Sequence, residues 1–359
     1  MSPKKENLIK IGKKSVLDSE IIIAGENVKI GDNVLIRGRK IVLGNNCEIN
    51  DNVIVNCDQI SLKDNCTIHN GCRFNVKNIT VGENATIGQG VSVTGPGKEI
   101  KREVAEEFSI GDNTFIGNKI TISVPVFKAG DYCTLHHYMN IYDCHQVTMG
   151  HNCWFGQEVI INSRKTVTMG NNVRVGMRSQ IWTHSASGEI IEGTQLFSEK
   201  EVIIEDNVWL NGTVIIAPGL RLRPFSVVMT GSVLTKDTES FHIYAGVPAK
   251  DITDKITPYK TPTLNEKYNI MGLIIEEFYK KRPEHKNKIY LLEYPQHLNP
   301  NIPSKGVIII FKDSMGTSNY KENSVFDIKT KTYYKVRTTI EIDFIKENLG
   351  HNARFTPNN

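Results

Sequence analysis

His184 stands three residues after Ile181 and opens a stretch, running to Lys200, that breaks the regular spacing of the chain. A neutral imidazole, with a reference pKa near 6.5, is well suited to take a proton from an attacking hydroxyl or amine near neutral pH. Asn162, directly after Ile161, and Glu158 just before it could orient that imidazole or the attacking group, and Asp143 holds the matching position further back. The plainer reading of His184 is a corner histidine bonded locally, and Asn is common at corners. Trp182 offers a flat face on which a sugar ring could stack, or simple packing. His136, His137 and His145 precede these residues and could reach the same face, whereas His151 reads as a solvated turn.

What positions these residues is an internal repeat. Ala24, Leu43, Leu62 and Val81 follow one another at steps of 19, as do Ile30, Ile49, Ile68 and Ile87. The series resumes at Ile110 and Ala129, then at Met149 and Met169 with a step of 20; Ile204, Leu210, Ile216, Leu222 and Val228 run at steps of six. Each hexad reads apolar, often Gly, polar, Asn or Asp, then a small residue. Such a unit makes one short strand and one corner, and three units make a triangular coil. The apolar first and small fifth residues point inward, and Gly, Asn and Asp serve corners that need φ > 0. Coils stack at about 4.8 Å and satisfy one another's backbone hydrogen bonds. A parallel β-helix over residues 11–236 follows. Two interruptions, Thr94–Glu107 and His184–Lys200, mark loops leaving the stack, and loops of this kind carry function.

The same register explains the cysteines. Cys47, Cys66, Cys72, Cys133 and Cys153 fall four residues after an apolar anchor, at the small inward position; Cys57 and Cys144 fall outside it. No CxxC pair occurs, which argues against a zinc knuckle. Net charge of +4 among 359 residues, with no basic tract interleaved with aromatics, argues against nucleic acid. The first 14 residues lack a signal-peptide apolar core, and no window has the ~18 consecutive apolar residues that span a membrane. The expectation is a cytoplasmic protein without membrane insertion.

The hexads run into Val208-Trp-Leu-Asn-Gly-Thr-Val-Ile-Ile-Ala-Pro-Gly-Leu, then Gly231-Ser-Val-Leu-Thr-Lys-Asp, then Ala245-Gly-Val-Pro-Ala-Lys. This ordered signature resembles the hexapeptide-repeat acyltransferases, and Ser179-Gln-Ile-Trp-Thr-His-Ser resembles the active-site turn of the branch that O-acetylates sugars and polysaccharides. The resemblance covers roughly residues 20–252. It implies a left-handed β-helix, an exception to the usual right-handed crossover. It also implies a homotrimer, acetyl-CoA in the groove between neighbouring copies, and a carbohydrate acceptor entering the same cleft. His184 is then the general base, with Asn162, Glu158 and Asp143 as its catalytic companions. Trp182, His145 and His137 are the candidate substrate residues. Trp209, Asn211, Thr230, Lys236 and Lys250 match positions where relatives hold the coenzyme. No covalent enzyme intermediate and no metal are expected. Departures occur at Leu210-Asn211 and Leu222-Arg223-Pro224, where Ile-Gly is usual, and at Arg221 and Arg223, which add charge near the coenzyme exit.

After Lys250 the period stops. The expected organisation is an acyltransferase β-helix over 11–252, a Pro/Thr-rich linker over 253–265, and a small α+β domain over 266–359. In the last, a helix is expected at Glu266–Lys281, strands at Ile289–Leu292 and Val307–Phe311, a hairpin from Ser324–Lys329 and Thr332–Arg337, and a closing helix at Ile340–Asn348. Three alternatives stand beside sugar O-acetylation. They are N-acetylation of an amino sugar, a non-catalytic binding scaffold, and a zinc site built from His136 or His137, His145 and His151.

Overall fold

The computed structural model describes residues 9–97, 103–186, 188–257, 259–297, 301–315 and 322–358. The chain divides into two compact units, Met1–Pro258 and Tyr259–Asn359.

The first unit is a parallel β-solenoid with three faces. One face runs from Lys10–Ile11 to Val227–Val228 and Ile243–Gly246, closed by the antiparallel strand Ala249–Asp251, and forms a 13-stranded sheet. The second face stacks Asn140–Tyr142, Ile160–Asn162, Gln180–Ile181, Ile215–Ile216 and Val233–Leu234 in register. The third stacks Val147–Met149, Val167–Met169, Val202–Ile204 and Arg221–Leu222. Inward anchors such as Ile87, Ile161, Ile181 and Ile216 are fully buried, as are the small fifth residues Ala85, Cys66 and Cys133. All seven cysteines are free thiols, and only Cys57 and Cys144, the two outside the register, are partly exposed. Replacing a buried Ile or Leu of this core with Ala costs about 2–5 kcal/mol.

Corner chemistry follows from stacking. Asn27, Asn46 and Asn65 all adopt φ between 54° and 59°, the left-handed region in which Asn is more tolerable than most residues. Their side chains continue the ladder, Asn27 Nδ2 donating to Asn46 Oδ1 at 3.2 Å and Asn46 Nδ2 to Asn65 Oδ1 at 3.1 Å. Gly44 is required for a different reason: a Cβ there would lie 2.4 Å from Asp64 Oδ1, whose carboxylate accepts the Asn45 N–H at 2.8 Å.

The interruption near residue 94 leaves the stack after Ser92–Thr94 and returns at Ala105–Ile110, with Gly95 N–H bonded to Glu103 O at 3.0 Å; its residues 98–102 lie outside the described residues. The second interruption is an antiparallel arm. His184–Ala186 pairs with Phe197–Glu199, setting His184 opposite Glu199.

The second unit is α+β. Parallel strands Ile289–Leu292, Ile308–Phe311 and Ser324–Asp327 are followed by the antiparallel Thr332–Tyr334 and by Thr356–Pro357 parallel to it. The hairpin is therefore where the sequence puts it, while the closing strand Thr356–Pro357 was not expected. Helix α1 spans Leu264–Lys281 and helix α2 Thr339–Asn348. Helix α1 starts two residues before the expected Glu266 because Thr263 caps it. The Thr263 hydroxyl accepts the Glu266 N–H at 3.2 Å, and the Glu266 carboxylate returns to the Thr263 N–H at 2.7 Å. Phe278 of α1 meets Phe344 of α2 edge-on at 5.3 Å.

Candidate active site

Three successive coils bring Asp143, Asn162 and the Thr183–His184 pair to one corner. The register is fixed by Tyr142 pairing with Asn162 and by Ile161 pairing with Ile181. His184 Nδ1 lies 2.8 Å from Asn162 Oδ1, and Asn162 Nδ2 donates to Asp143 Oδ2 at 3.0 Å. Thr183 accepts the Lys165 N–H at 3.0 Å, and its hydroxyl proton has two acceptors on Asn162, the main-chain carbonyl at 3.0 Å and Oδ1 at 3.1 Å.

These bonds determine a tautomer. A carboxylate only accepts, so Asp143 holds the Asn162 amide with its NH₂ toward itself. The Asn162 oxygen then faces His184, and an oxygen can only accept. Nδ1 of His184 therefore carries the proton and Nε2 carries the lone pair. Among the described residues Nε2 has no hydrogen-bond partner, and His184 is half-buried. Asn162 itself is fully buried, so its amide is not free to turn.

Residues without a sequence signal complete the corner. Arg164 Nη1 lies 3.6 Å from Asp143 Oδ1, and its Nε donates to Glu199 Oε1 at 3.1 Å; Lys165 Nζ lies 3.4 Å from Glu199. This ties the root of the inserted arm to the stack beneath His184. The Arg164 hydrogen bond holds the Glu199 carboxyl below its usual range. Burial pushes the Tyr142 hydroxyl up, partly offset by a hydrogen bond with Asn162. Burial and the Asp143 carboxylate also push the Cys144 thiol up, which makes it a poor nucleophile. Glu199 could be found only from the arm's pairing, and Arg164 only from its place two residues after Asn162.

Trp182 packs edge-on against His184 with ring centroids 6.2 Å apart, its indole N–H donated to Gln180 Oε1 at 3.0 Å. His145 follows Asp143 by two residues and is exposed. Glu158 is elsewhere. It sits with φ +59° at a corner of the first face and pairs with Arg178 Nε at 2.8 Å rather than with His184. His137 is at the equivalent corner one coil earlier, its Nδ1 accepting the Asn118 N–H at 2.8 Å. His151 is at the third corner, its Nδ1 taking the Asp131 N–H at 2.9 Å. The three histidines of the zinc alternative thus occupy three different corners.

On the other side, Trp209 projects half-exposed from the first face, and Asn211 begins the corner that follows it. Asn211 Nδ2 lies 3.5 Å from Met229 Sδ, and its buried Oδ1 has no partner among the described residues. Thr230 lies at the same corner one coil on, exposed. Lys236 follows Leu234 as Thr183 follows Ile181, on strands that share a face, so it stands at the His184 corner further up the stack. Lys250 lies on the terminal hairpin opposite Ala245. Lys236 and Lys250 are exposed and make no ion pair among the described residues. Arg221 and Arg223, by contrast, are both engaged with Glu205, which balances one of the two charges they add.

The arm carries an apolar tip. Ile190 and Ile191 are 82% and 87% exposed, and Leu196 and Phe197 are exposed beside them. No helix among the described residues is long and apolar enough to cross a membrane.

No family model matches the chain. Galactoside O-acetyltransferase of Escherichia coli is 29% identical over 110 residues, 30% of this chain and 54% of that protein. Galactoside O-acetyltransferase of Lactococcus lactis is 34% identical over 107 residues, 28% of this chain and 51% of that protein. Over these residues the chain is similar to sugar O-acetyltransferases. It spans about half the length of the curated relatives it matches. Among solved structures, a hexapeptide-repeat acetyltransferase from Vibrio cholerae complexed with acetyl coenzyme A is 24% identical, with TM-score 0.29 over 38% of this chain and 68% of that one. A polySia-specific acetyltransferase is 15% identical, with TM-score 0.35 over 75% of this chain and 98% of that one.

Proposed function

We propose that this protein transfers an acetyl group from acetyl-CoA to a carbohydrate hydroxyl, in a surface polysaccharide, its precursor or a nucleotide-sugar. The observation that carries the reading is the Asp143–Asn162–His184 chain, which engages Nδ1 and leaves Nε2 without a hydrogen-bond partner among the described residues. In the reaction, Nε2 takes the proton of the acceptor hydroxyl as its oxygen bonds to the thioester carbonyl carbon. The tetrahedral intermediate collapses, the C–S bond breaks, and the departing thiolate recovers the proton from the imidazolium. No covalent enzyme intermediate is needed, because the thiolate is a good leaving group. Arg164, Lys165 and Glu199 position the corner, and Trp182 supplies a face for the sugar.

Trp209, Asn211, Thr230, Lys236 and Lys250 are the residues assigned to the coenzyme, the two lysines as point charges for its phosphates. The reading includes a homotrimer, in which a neighbouring copy covers the apolar tip of the arm, and a cytoplasmic setting, where acetyl-CoA is available. Transfer to an amino sugar is the second reading. Transfer to nitrogen, though not to a sugar, is what the name of a Clostridium perfringens relative gives, a tetrahydropyridine-dicarboxylate N-acetyltransferase 34% identical over 86 residues. Mass spectrometry of the product after mild alkali separates the two: an O-acetyl ester is removed and an N-acetyl amide survives. A product that keeps its acetyl group would replace the first reading with the second.

A further inference from the structure

The C-terminal unit gathers a group of side chains around one buried ammonium, and nothing in the acetyl-transfer reading uses them. Ile289–Leu292, Ile308–Phe311 and Ser324–Asp327 are parallel neighbours, so their carboxyl ends share one edge. That edge is where open α/β sheets bind ligands. Here it carries Glu293 and Tyr294 after the first strand, and Lys312 and Asp313 after the second. The Lys312 N–H donates to Leu292 O at 2.8 Å and the Asp313 N–H to Glu293 O at 3.2 Å, which sets Lys312 beside Glu293.

Lys312 is only 8% exposed. Its Nζ donates to Glu293 Oε1 at 3.0 Å. The same nitrogen stands 5.8 Å from the centre of the Tyr268 ring, on α1, and 5.8 Å from that of Tyr294. The bond to Glu293 holds the ammonium above its ordinary range, so it is charged at neutral pH. An ammonium has three N–H donors, and among the described residues Glu293 is the one oxygen acceptor that Lys312 Nζ reaches. A buried donor short of acceptors is unfavourable, and an oxygen brought by a ligand relieves it.

Charge decides the class of ligand. Lys312 is balanced by Glu293, and Lys329 on the same edge by Asp313 at 2.8 Å, so the two pairs together carry no net charge to attract an ion. What they offer is donor and acceptor side by side. A hydroxyl group uses both, accepting from the ammonium and donating to the carboxylate. The Glu293 side chain is 46% exposed and within reach of such a group. Tyr268 and Tyr294 are half-buried, and their rings offer apolar faces for the C–H side of a sugar ring.

We propose that Tyr268, Glu293, Tyr294 and Lys312 form a carbohydrate-binding site that takes a pyranose ring through its hydroxyl groups. Binding here is independent of His184, and its absence would leave the acetyl-transfer reading standing.

The test uses the full chain labelled with 3-fluorotyrosine and read by ¹⁹F NMR. The two resonances are assigned by their loss in Tyr268→Phe and Tyr294→Phe. The probes are the methyl pyranosides of glucose, galactose, mannose and N-acetylglucosamine, titrated at millimolar concentrations. At least one should shift both resonances saturably. Glu293→Ala and Lys312→Met, checked for folding by circular dichroism, should each weaken that binding roughly tenfold or more. The shifts should be retained in Trp182→Ala, which alters the sugar face beside His184 instead. Resonances that stay still with all four sugars would overturn the proposal. So would a larger response to inorganic phosphate than to any sugar, or shifts that survive undiminished in both Glu293→Ala and Lys312→Met.

Discussion

Asn162→Ala removes one side chain and the bonds it makes, chief among them the acceptor 2.8 Å from His184 Nδ1 and the donor to Asp143 at 3.0 Å. The first bond matters most when His184 becomes an imidazolium, because a hydrogen bond to a charged group contributes about 1.5–3 kcal/mol. At 1.36 kcal/mol per tenfold, that is a fall in kcat of roughly 10- to 150-fold. Loss of the constraint on which nitrogen carries the proton adds to it. The KM for acetyl-CoA should change little, since none of the residues assigned to the coenzyme bonds this amide and Lys236, at the same corner, stands two coils further up the stack. Stability should fall by about 1–3 kcal/mol, because Asp143 loses its amide donor, while Thr183 keeps the Asn162 main-chain carbonyl at 3.0 Å, the apolar stack is untouched and the variant folds. The assay is steady-state thiol release with a sugar acceptor, varying each substrate in turn, with a thermal melt of the same samples. A kcat within twofold of the parent would refute the reasoning, as would a loss confined to the KM for acetyl-CoA.

Three further outcomes follow from the same geometry. Glu158→Gln should leave kcat within about twofold and stability within about 0.5 kcal/mol, because the carboxylate is engaged with Arg178 in an exposed pair away from the His184 corner; steady-state rates and a melt check it. A thiol reagent on the native protein should modify at most Cys57 and Cys144, and those slowly. The other five cysteines are buried, and burial pushes Cys57 and Cys72 up to about 11. For Asp251, burial works against ionisation, but His242 at 2.6 Å and Thr253 hold the carboxyl down to about 2. A depressed carboxyl stabilises the fold above its unfolded value near 4 and loses that contribution as pH falls toward about 2. Asp251→Asn should therefore flatten that part of the acid-unfolding curve, read by circular dichroism.

The solenoid was legible because stacking imposes its period on the chain: each anchor must lie over the last, so Ile30, Ile49, Ile68 and Ile87 advertise their own contacts. The small inward slot likewise explains five cysteines. His184 was legible as the residue at the mouth of an insertion, and Asn162 and Asp143 because they share its corner on earlier coils. Glu158 was misleading because a corner is only a few residues from the next: lying before the strand Ile160–Asn162, it belongs to the previous corner. Arg164 and Glu199 were not legible. Their bond spans 35 residues across an arm whose pairing restarts the register.

The most direct test of the account is acetyl-CoA thiol release by the purified protein against a panel of sugars and oligosaccharides, with His184→Ala in parallel. The account predicts release that depends on an added sugar and falls by roughly 10²–10⁴ in the variant, the usual contribution of a positioned general base. Sugar-dependent release that persists undiminished in His184→Ala would contradict the role of His184. No release with any sugar, together with no binding of the coenzyme, would contradict the acetyltransferase reading itself.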